Sequence, residues 1–285
     1  MTVRIIPRLD IKGPNLVKGV HLEGLRVLGK PEWAAEHYYL GEADELVYMD
    51  VVASLYQRNS LMDIVRETSK AIFIPLTVGG GLRSIGDIRD VLRSGADKVA
   101  LNTGALRNPD LVYDAARRFG SSTIVISIEA KMQADGTFEA YTDNGRERTG
   151  RKVLDWAIEA ADRGAGEILL TSVDREGTGK GFDLALVQAV AEAVPIPVIA
   201  CGGAGRLDHV SEVVREGGAD AVSVASMLHY RLIKEKHPGS STEFIEGNLE
   251  YLESGGGVGA IEDATILDIK NHLMEQGVPC RPPIN

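Results

Sequence analysis

One unit of this chain occurs twice. VGGGLRSIGDIRDVLRSGADKV (78–99) and ACGGAGRLDHVSEVVREGGADAV (200–222) each read as a strand end, a glycine turn, an amphipathic helix and a Gly-Ala-Asp step into another strand. Glu45, Gly80 and Asp97 have counterparts in Glu167, Gly202 and Asp220 at nearly the same displacement, so the first half of the chain resembles the second. Between and around the two copies, Val- and Ile-rich runs at 4–11, 45–51, 72–78, 98–102, 123–130, 167–173, 196–201 and 220–226 predict eight strands. Helical periodicity falls between them at 31–41, 59–71, 84–94, 109–119, 151–164, 183–193 and 207–217, with Pro31, Ser84, Pro109 and Asp183 as opening residues. Eight such units predict a (β/α)8 barrel, an α/β TIM barrel built from two similar half-barrels. An open doubly wound sheet fits the alternation, but it gives no reason for two equal halves.

The whole chain, 1–285, is expected to form a single barrel domain. Residues 11–30 read as a Gly- and Lys-bearing loop, and 132–150 as a β-hairpin with turns at Asp135-Gly136 and Asn144-Gly145. The Gly/Ser-rich stretch at about 236–259 reads as an insertion before a last helix at 264–276. No apolar run is long enough for a membrane span, and a cytoplasmic protein is expected. Two cysteines offer neither a disulfide framework nor metal-ligand spacing, the six histidines are scattered, and no metal or cofactor is expected. The net charge of −10 leaves no basic surplus for nucleic acid. An anionic small molecule would have to be held locally, by backbone N–H groups and a few placed cations.

The glycine turns supply such places. Gly80 and Gly81 with Asn102 and Thr103 form one pair of anion sites; Gly202 and Gly203 with Ala225 and Ser226 form the other, on the opposite side of the barrel mouth. Together they fit a substrate with a phosphate at each end. Acids close several strands: Asp10, Asp50, Glu129 and Asp174. Asp10 and Glu129, on the first and fifth strands, face each other and suit a general acid and a general base, whereas Asp50 reads as structural. At the other end of the strands, Arg4, Glu45, Lys98 and Glu167 alternate in sign and predict a salt-bridged floor.

These segments resemble a known family, the cyclase subunit of imidazole glycerol phosphate synthase. The resemblance rests on RIIPRLDIK, LVKG, DELVYMDVVAS, TVGGG, GADKVALNT, GAGEILLTSVDREGTGKGFD, IPVIACGGAG and GADAVSVAS. It implies a lyase of histidine biosynthesis that receives ammonia from a glutaminase subunit docked on the N-terminal face of the barrel. Its substrate would be a bisphosphate, the phosphoribulosyl-formimino-AICAR-phosphate type, converted to imidazole glycerol phosphate and AICAR. By position it implies that Asp10 and Glu129 are catalytic, that Lys18 belongs to a mobile first loop, and that Arg4, Glu45, Lys98 and Glu167 gate ammonia. Asp97 would lie at the partner interface, and the glycine turns with Ser226 would hold the phosphates. Thr171, Glu176 and Gly177 would line the substrate side of strand six.

The chain also departs from that pattern. Glu129 stands where the family has aspartate, Glu176 is likewise one methylene longer, and Arg8 replaces a small cysteine two residues before Asp10. A lumenal arginine needs a partner, and Glu129, reaching across from the fifth strand, is the expected one, held ionised by the pair. Two further readings of the same residues stay open. One is a paralogue that aminates a sugar or another acceptor in amidino-sugar or surface-glycan synthesis. The other is a weakly active barrel that serves as a glutaminase-binding partner.

Overall fold

The computed structural model describes residues 2–52, 59–236 and 261–283. Its eight parallel strands are β1 (Arg4–Lys12), β4 (Leu46–Asp50), β5 (Leu76–Gly79), β6 (Lys98–Leu101), β7 (Ile124–Met132), β10 (Glu167–Ser172), β11 (Val198–Cys201) and β12 (Ala221–Val224). Each pairs with the next, and β12 pairs back to β1, so the sheet closes as the (β/α)8 barrel expected from the repeat. The crossovers are right for this: α1 (Pro31–Leu40), α2 (Asn59–Ala71), α3 (Ile85–Arg93), α4 (Thr103–Arg107), α5 (Asp110–Phe119), α6 (Val153–Asp162), α7 (Leu184–Ala193) and α8 (Leu207–Arg215). After β12 come α9 (Ser226–Lys236) and α10 (Ile266–Glu275). The expected insertion at 236–259 lies almost wholly outside the described residues.

Period two places alternate side chains of β1 on opposite faces. Ile5, Leu9 and Ile11 join the large core between sheet and helices, while Ile6 joins a second, lumenal core with Val47, Val125, Leu169, Ile199 and Ala221. Both faces of every barrel strand are therefore covered, which is why the strands read as nearly continuous apolar runs. The helices start where the sequence places their caps. Ser84 and Asp87 form a capping box at α3, Asp183 accepts from Leu186 N at α7, and Pro31 opens α1.

The two halves share hydrogen bonds as well as residues. Asp97 Oδ2 accepts from Leu76 N at 2.9 Å, and Asp220 Oδ2 accepts from Val198 N at the same distance. Each carboxylate thus holds the start of one strand against the next at the floor of the barrel.

Residues 11–30 are not the loop expected. They form two antiparallel strands, β2 (Asn15–Val20) and β3 (Glu23–Gly29), which extend β1 upward. Two register shifts in this hairpin, and exposed residues on β3, hide its period from the sequence. The other hairpin is found as read: β7 continues into β8 (Phe138–Thr142) and β9 (Glu147–Lys152), with Gly136 and Asn144-Gly145 at positive φ in the turns. The run 220–226 was expected to end as strand, but helix α9 begins at Ser226.

Candidate active site

Asp10 ends the inward-facing row of β1, and Glu129 occupies the corresponding place on β7, opposite it in the ring of strands. Both are buried in the lumen. The expected Arg8–Glu129 pair does not form. Arg8 turns instead to its own strand, where Nε donates to Asp10 Oδ1 at 2.9 Å. Its Nη1 donates to Thr171 Oγ1 at 3.1 Å and lies 3.6 Å from Cys201 Sγ. Residues i and i+2 of a strand share a face, so this pairing needs no reach across the barrel.

Glu129 is consequently not held ionised. Burial pushes its carboxyl up to about 7, and the charge of Asp10 adds to the rise. The positive charge of Arg8, a Gly145 N–H donated to Oε2 at 2.7 Å, and a hydrogen bond from Asn102 oppose that rise without cancelling it. The extra methylene of Glu129 is used in reaching Gly145 in the β8–β9 turn.

Above Glu129 opens a cleft. Gly80, Gly81, Asn102 and Thr103 line it together with Asp50 and Arg83, so the first expected pair of anion sites shares one space with Glu129. Gly80 has φ +111°, and a Cβ there would stand 2.5 Å from Asp50 O; only glycine fits this turn. Gly202 repeats the arrangement on the far side, at φ +90° with a would-be Cβ 2.7 Å from Ser172 O. Gly203 follows it, also at positive φ, and Ala225 and buried Ser226 open α9 beside them.

The β2–β3 hairpin covers this second side. His21 N donates to Glu176 O at 2.9 Å, His21 Nδ1 bonds Val173 O at 2.8 Å, and Gly177 packs beneath Gly19. Lys18, on the hairpin, is buried and forms an ion pair with Glu176 while donating to Gly19 O at 2.9 Å. Burial alone would raise the Glu176 carboxyl, but Lys18 and Arg8 outweigh it and hold it below its ordinary value.

At the floor the four expected charges form a closed ring. Arg4 Nη1 donates to Glu45 Oε1 at 2.6 Å and to Glu167 Oε1 at 2.8 Å. Lys98 Nζ donates to Glu45 Oε2 at 2.9 Å and to Glu167 Oε2 at 3.1 Å. Every charge has a neighbour of opposite sign on each side, so the ring is neutral. Above it comes the apolar lumenal layer, then Arg8, then the acid pair.

Two residues of this assembly carry no sequence motif. His229, on α9, is buried against the back of β1, with Nε2 3.0 Å from the Arg8 carbonyl oxygen and Nδ1 2.6 Å from Tyr38 Oη. A carbonyl only accepts, so the network assigns the hydrogen to Nε2 and leaves Nδ1 to accept from Tyr38. Burial, with the charge of Lys18, drives His229 down to about 3 and keeps it neutral. Of the other strand-end acids, Asp50 accepts from Val52 N at 3.0 Å, bracing its own turn, and Asp174 accepts from Met132 N at 2.8 Å, tying the turn after β10 to the end of β7. Among the described residues, no three His, Cys, Asp or Glu side chains converge as a metal site.

A closed (β/α)8 barrel with buried acids on opposite strands and a glycine turn on either side places this chain in the β/α-barrel class. The family model described as histidine biosynthesis protein matches residues 4–234, and the chain belongs to that family. It is 62% identical over 206 residues to the imidazole glycerol phosphate synthase subunit HisF of Legionella pneumophila, covering 72% of this chain and 97% of that protein. To the subunit of the same name from Alkaliphilus metalliredigens (strain QYMF) it is 48% identical over 230 residues, covering 81% of this chain and 91% of that protein.

Proposed function

We propose that this chain is the cyclase subunit of an imidazole glycerol phosphate synthase, an ammonia-dependent lyase of histidine biosynthesis. Its substrate is a phosphoribulosyl-formimino-AICAR-phosphate-type bisphosphate, and its products are imidazole glycerol phosphate and AICAR. The observation that carries this reading is the vertical order of the lumen: a neutral ring of four charges at the floor, an apolar layer, Arg8 paired to Asp10, then the two acids between two glycine turns.

In this reading one phosphate lies on the N–H groups around Gly80–Gly81 and Asn102–Thr103, and the other on those around Gly202–Gly203 and Ala225–Ser226. Lys18 leaves Glu176 to meet the bound anion as the hairpin shifts. A glutaminase subunit docks on the N-terminal face, with Asp97 at its edge, and releases ammonia beneath Arg4, Glu45, Lys98 and Glu167. Neutral ammonia then passes the apolar layer, level with which the buried hydroxyls of Ser127 and Ser223 have no hydrogen-bond partner among the described residues and can meet it. Joining ammonia to a carbonyl carbon releases its oxygen as water, and closing the ring expels the leaving amine, so a proton must be removed on one face and delivered on the other. Asp10 and Glu129 supply those two functions. Both cysteines are buried and unpaired, which fits a reducing, cytoplasmic compartment.

The test is turnover of the nucleotide intermediate by the purified chain with ammonium salt and no glutaminase, followed from acid to alkaline pH at matched free ammonia. Formation of imidazole glycerol phosphate and AICAR supports the reading; no turnover, with a bisphosphate still bound, overturns it. A second reading is favoured by Arg8, Glu129 and Glu176 together: ammonia delivered to a different acceptor, as in amidino-sugar formation for surface glycans. It predicts binding without turnover of the histidine intermediate.

A further inference from the structure

We propose that Arg8 is a positioning residue of this reaction, clamping Asp10 as the fixed base and leaving Glu129, across the lumen, as the proton donor. The inference rests on the lyase reading given above and deepens it. Arg8 is 1% exposed, and a guanidinium keeps its proton under all working conditions. Its Nε bond to Asp10 Oδ1 therefore makes Asp10 the acceptor of the pair, with Oδ2 left for a substrate proton. Asp10 cannot swing away without leaving a buried cation unpaired, a costly state.

Arg8 is itself held from three directions. Thr171 Oγ1 and Cys201 Sγ receive its Nη1 from β10 and β11, and its carbonyl receives the His229–Tyr38 chain from behind the strand. Among the described residues, Glu129 has no such cation on its oxygens. Its hydrogen-bond partners are the neutral donors Gly145 N–H and Asn102, which favour the ionised form; burial outweighs them, so the carboxyl keeps its proton near neutrality and can give it up to a leaving group. The charged groups around Glu129 are Arg8 and Asp10 from β1, Asp50 and Arg83 beside the cleft, and Asp143 from the β8–β9 turn. Lys18 and Glu176 neutralise each other on the far side. Among these, the charge of Arg8 opposes protonation of Glu129, so its removal has a defined direction.

The experiment compares wild type with Arg8→Gln and Arg8→Lys in two readouts. The first is kcat against pH with ammonium salt, normalised to free ammonia. The second is the ¹³C carboxyl titration of Glu129 in the protein without substrate. Wild type is expected to lose kcat as pH rises through about 7, where Glu129 gives up its proton. Arg8→Gln is expected to lower kcat about a hundredfold, as a displaced base does, and to move both the alkaline limb and the Glu129 midpoint upward by about one unit. Arg8→Lys, which keeps the charge, is expected to leave the limb in place. Should Arg8→Gln not fold, Arg8→Met, whose apolar chain suits the lumen, carries the same two readouts. The proposal is overturned if a neutral variant keeps the wild-type rate, or loses rate while the Glu129 midpoint stays where it was. Failure of wild type to turn over the intermediate sinks the lyase reading instead; the substrate-free titration then still decides whether Arg8 sets the charge of the pair.

Discussion

His229→Gln isolates the buried chain that fixes β1 behind Arg8. A glutamine amide can donate to the Arg8 carbonyl and accept from Tyr38, so it keeps both contacts, 3.0 and 2.6 Å in the native protein, but has no proton to gain. In the folded protein burial drives His229 from 6.5 down to about 3. A depressed base contributes stability that is present above the unfolded value and is lost as pH falls from there toward the folded value. The window is therefore from about 6.5 down to about 3. Between pH 7 and pH 5 the unfolded chain takes up about 0.7 proton at His229 that the folded chain refuses. At about 1.4 kcal/mol per pH unit below the unfolded value, this costs the wild type about 2 kcal/mol. Other groups titrate too, so the useful quantity is the difference between wild type and His229→Gln in urea unfolding at the two pH values. That difference should shift by about 2 kcal/mol in favour of the variant on going to pH 5. A difference that is the same at both pH values refutes the assignment of a neutral, carbonyl-bonded His229.

Two other substitutions probe the ends of the barrel. Gly80→Ala places a Cβ against Asp50 O at positive φ and should cost at least about 2 kcal/mol in urea unfolding; a cost below about 0.5 kcal/mol would show that the turn is not constrained as described. Lys98→Met leaves Glu45 and Glu167 sharing Arg4 alone in a partly buried ring, and should lower stability by roughly 1–3 kcal/mol, with added salt narrowing the gap. An unchanged midpoint would mean that the floor is not held by its charges.

The barrel was legible because its cause is written locally. Each strand has both faces covered, so it appears as an apolar run, and Ser84, Asp183 and Pro31 mark helix starts by backbone chemistry that neighbours in sequence supply. The floor ring was legible because Arg4, Glu45, Lys98 and Glu167 sit at equivalent strand starts. The hairpin at 15–29 was not: its shifted register breaks the alternation that would reveal it. The partner of Arg8 is not legible in sequence because charge and lumenal facing leave both Asp10 and Glu129 available, and only the folded geometry decides which carboxylate lies along the guanidinium. That choice inverts the expected protonation of Glu129. His229 offered no signal at all, since its part depends on α9 lying behind Arg8, in a segment read as strand up to residue 226.

The most direct measurement is a crystal structure of the Glu129→Gln variant with the bisphosphate intermediate bound. One molecule should span the mouth of the barrel, with a phosphate at Gly80–Gly81 and Thr103, the other at Gly202–Gly203 and Ser226, and its reacting carbons between Asp10 and residue 129. A ligand held by one cradle alone, or reacting carbons out of reach of Asp10, would contradict the account.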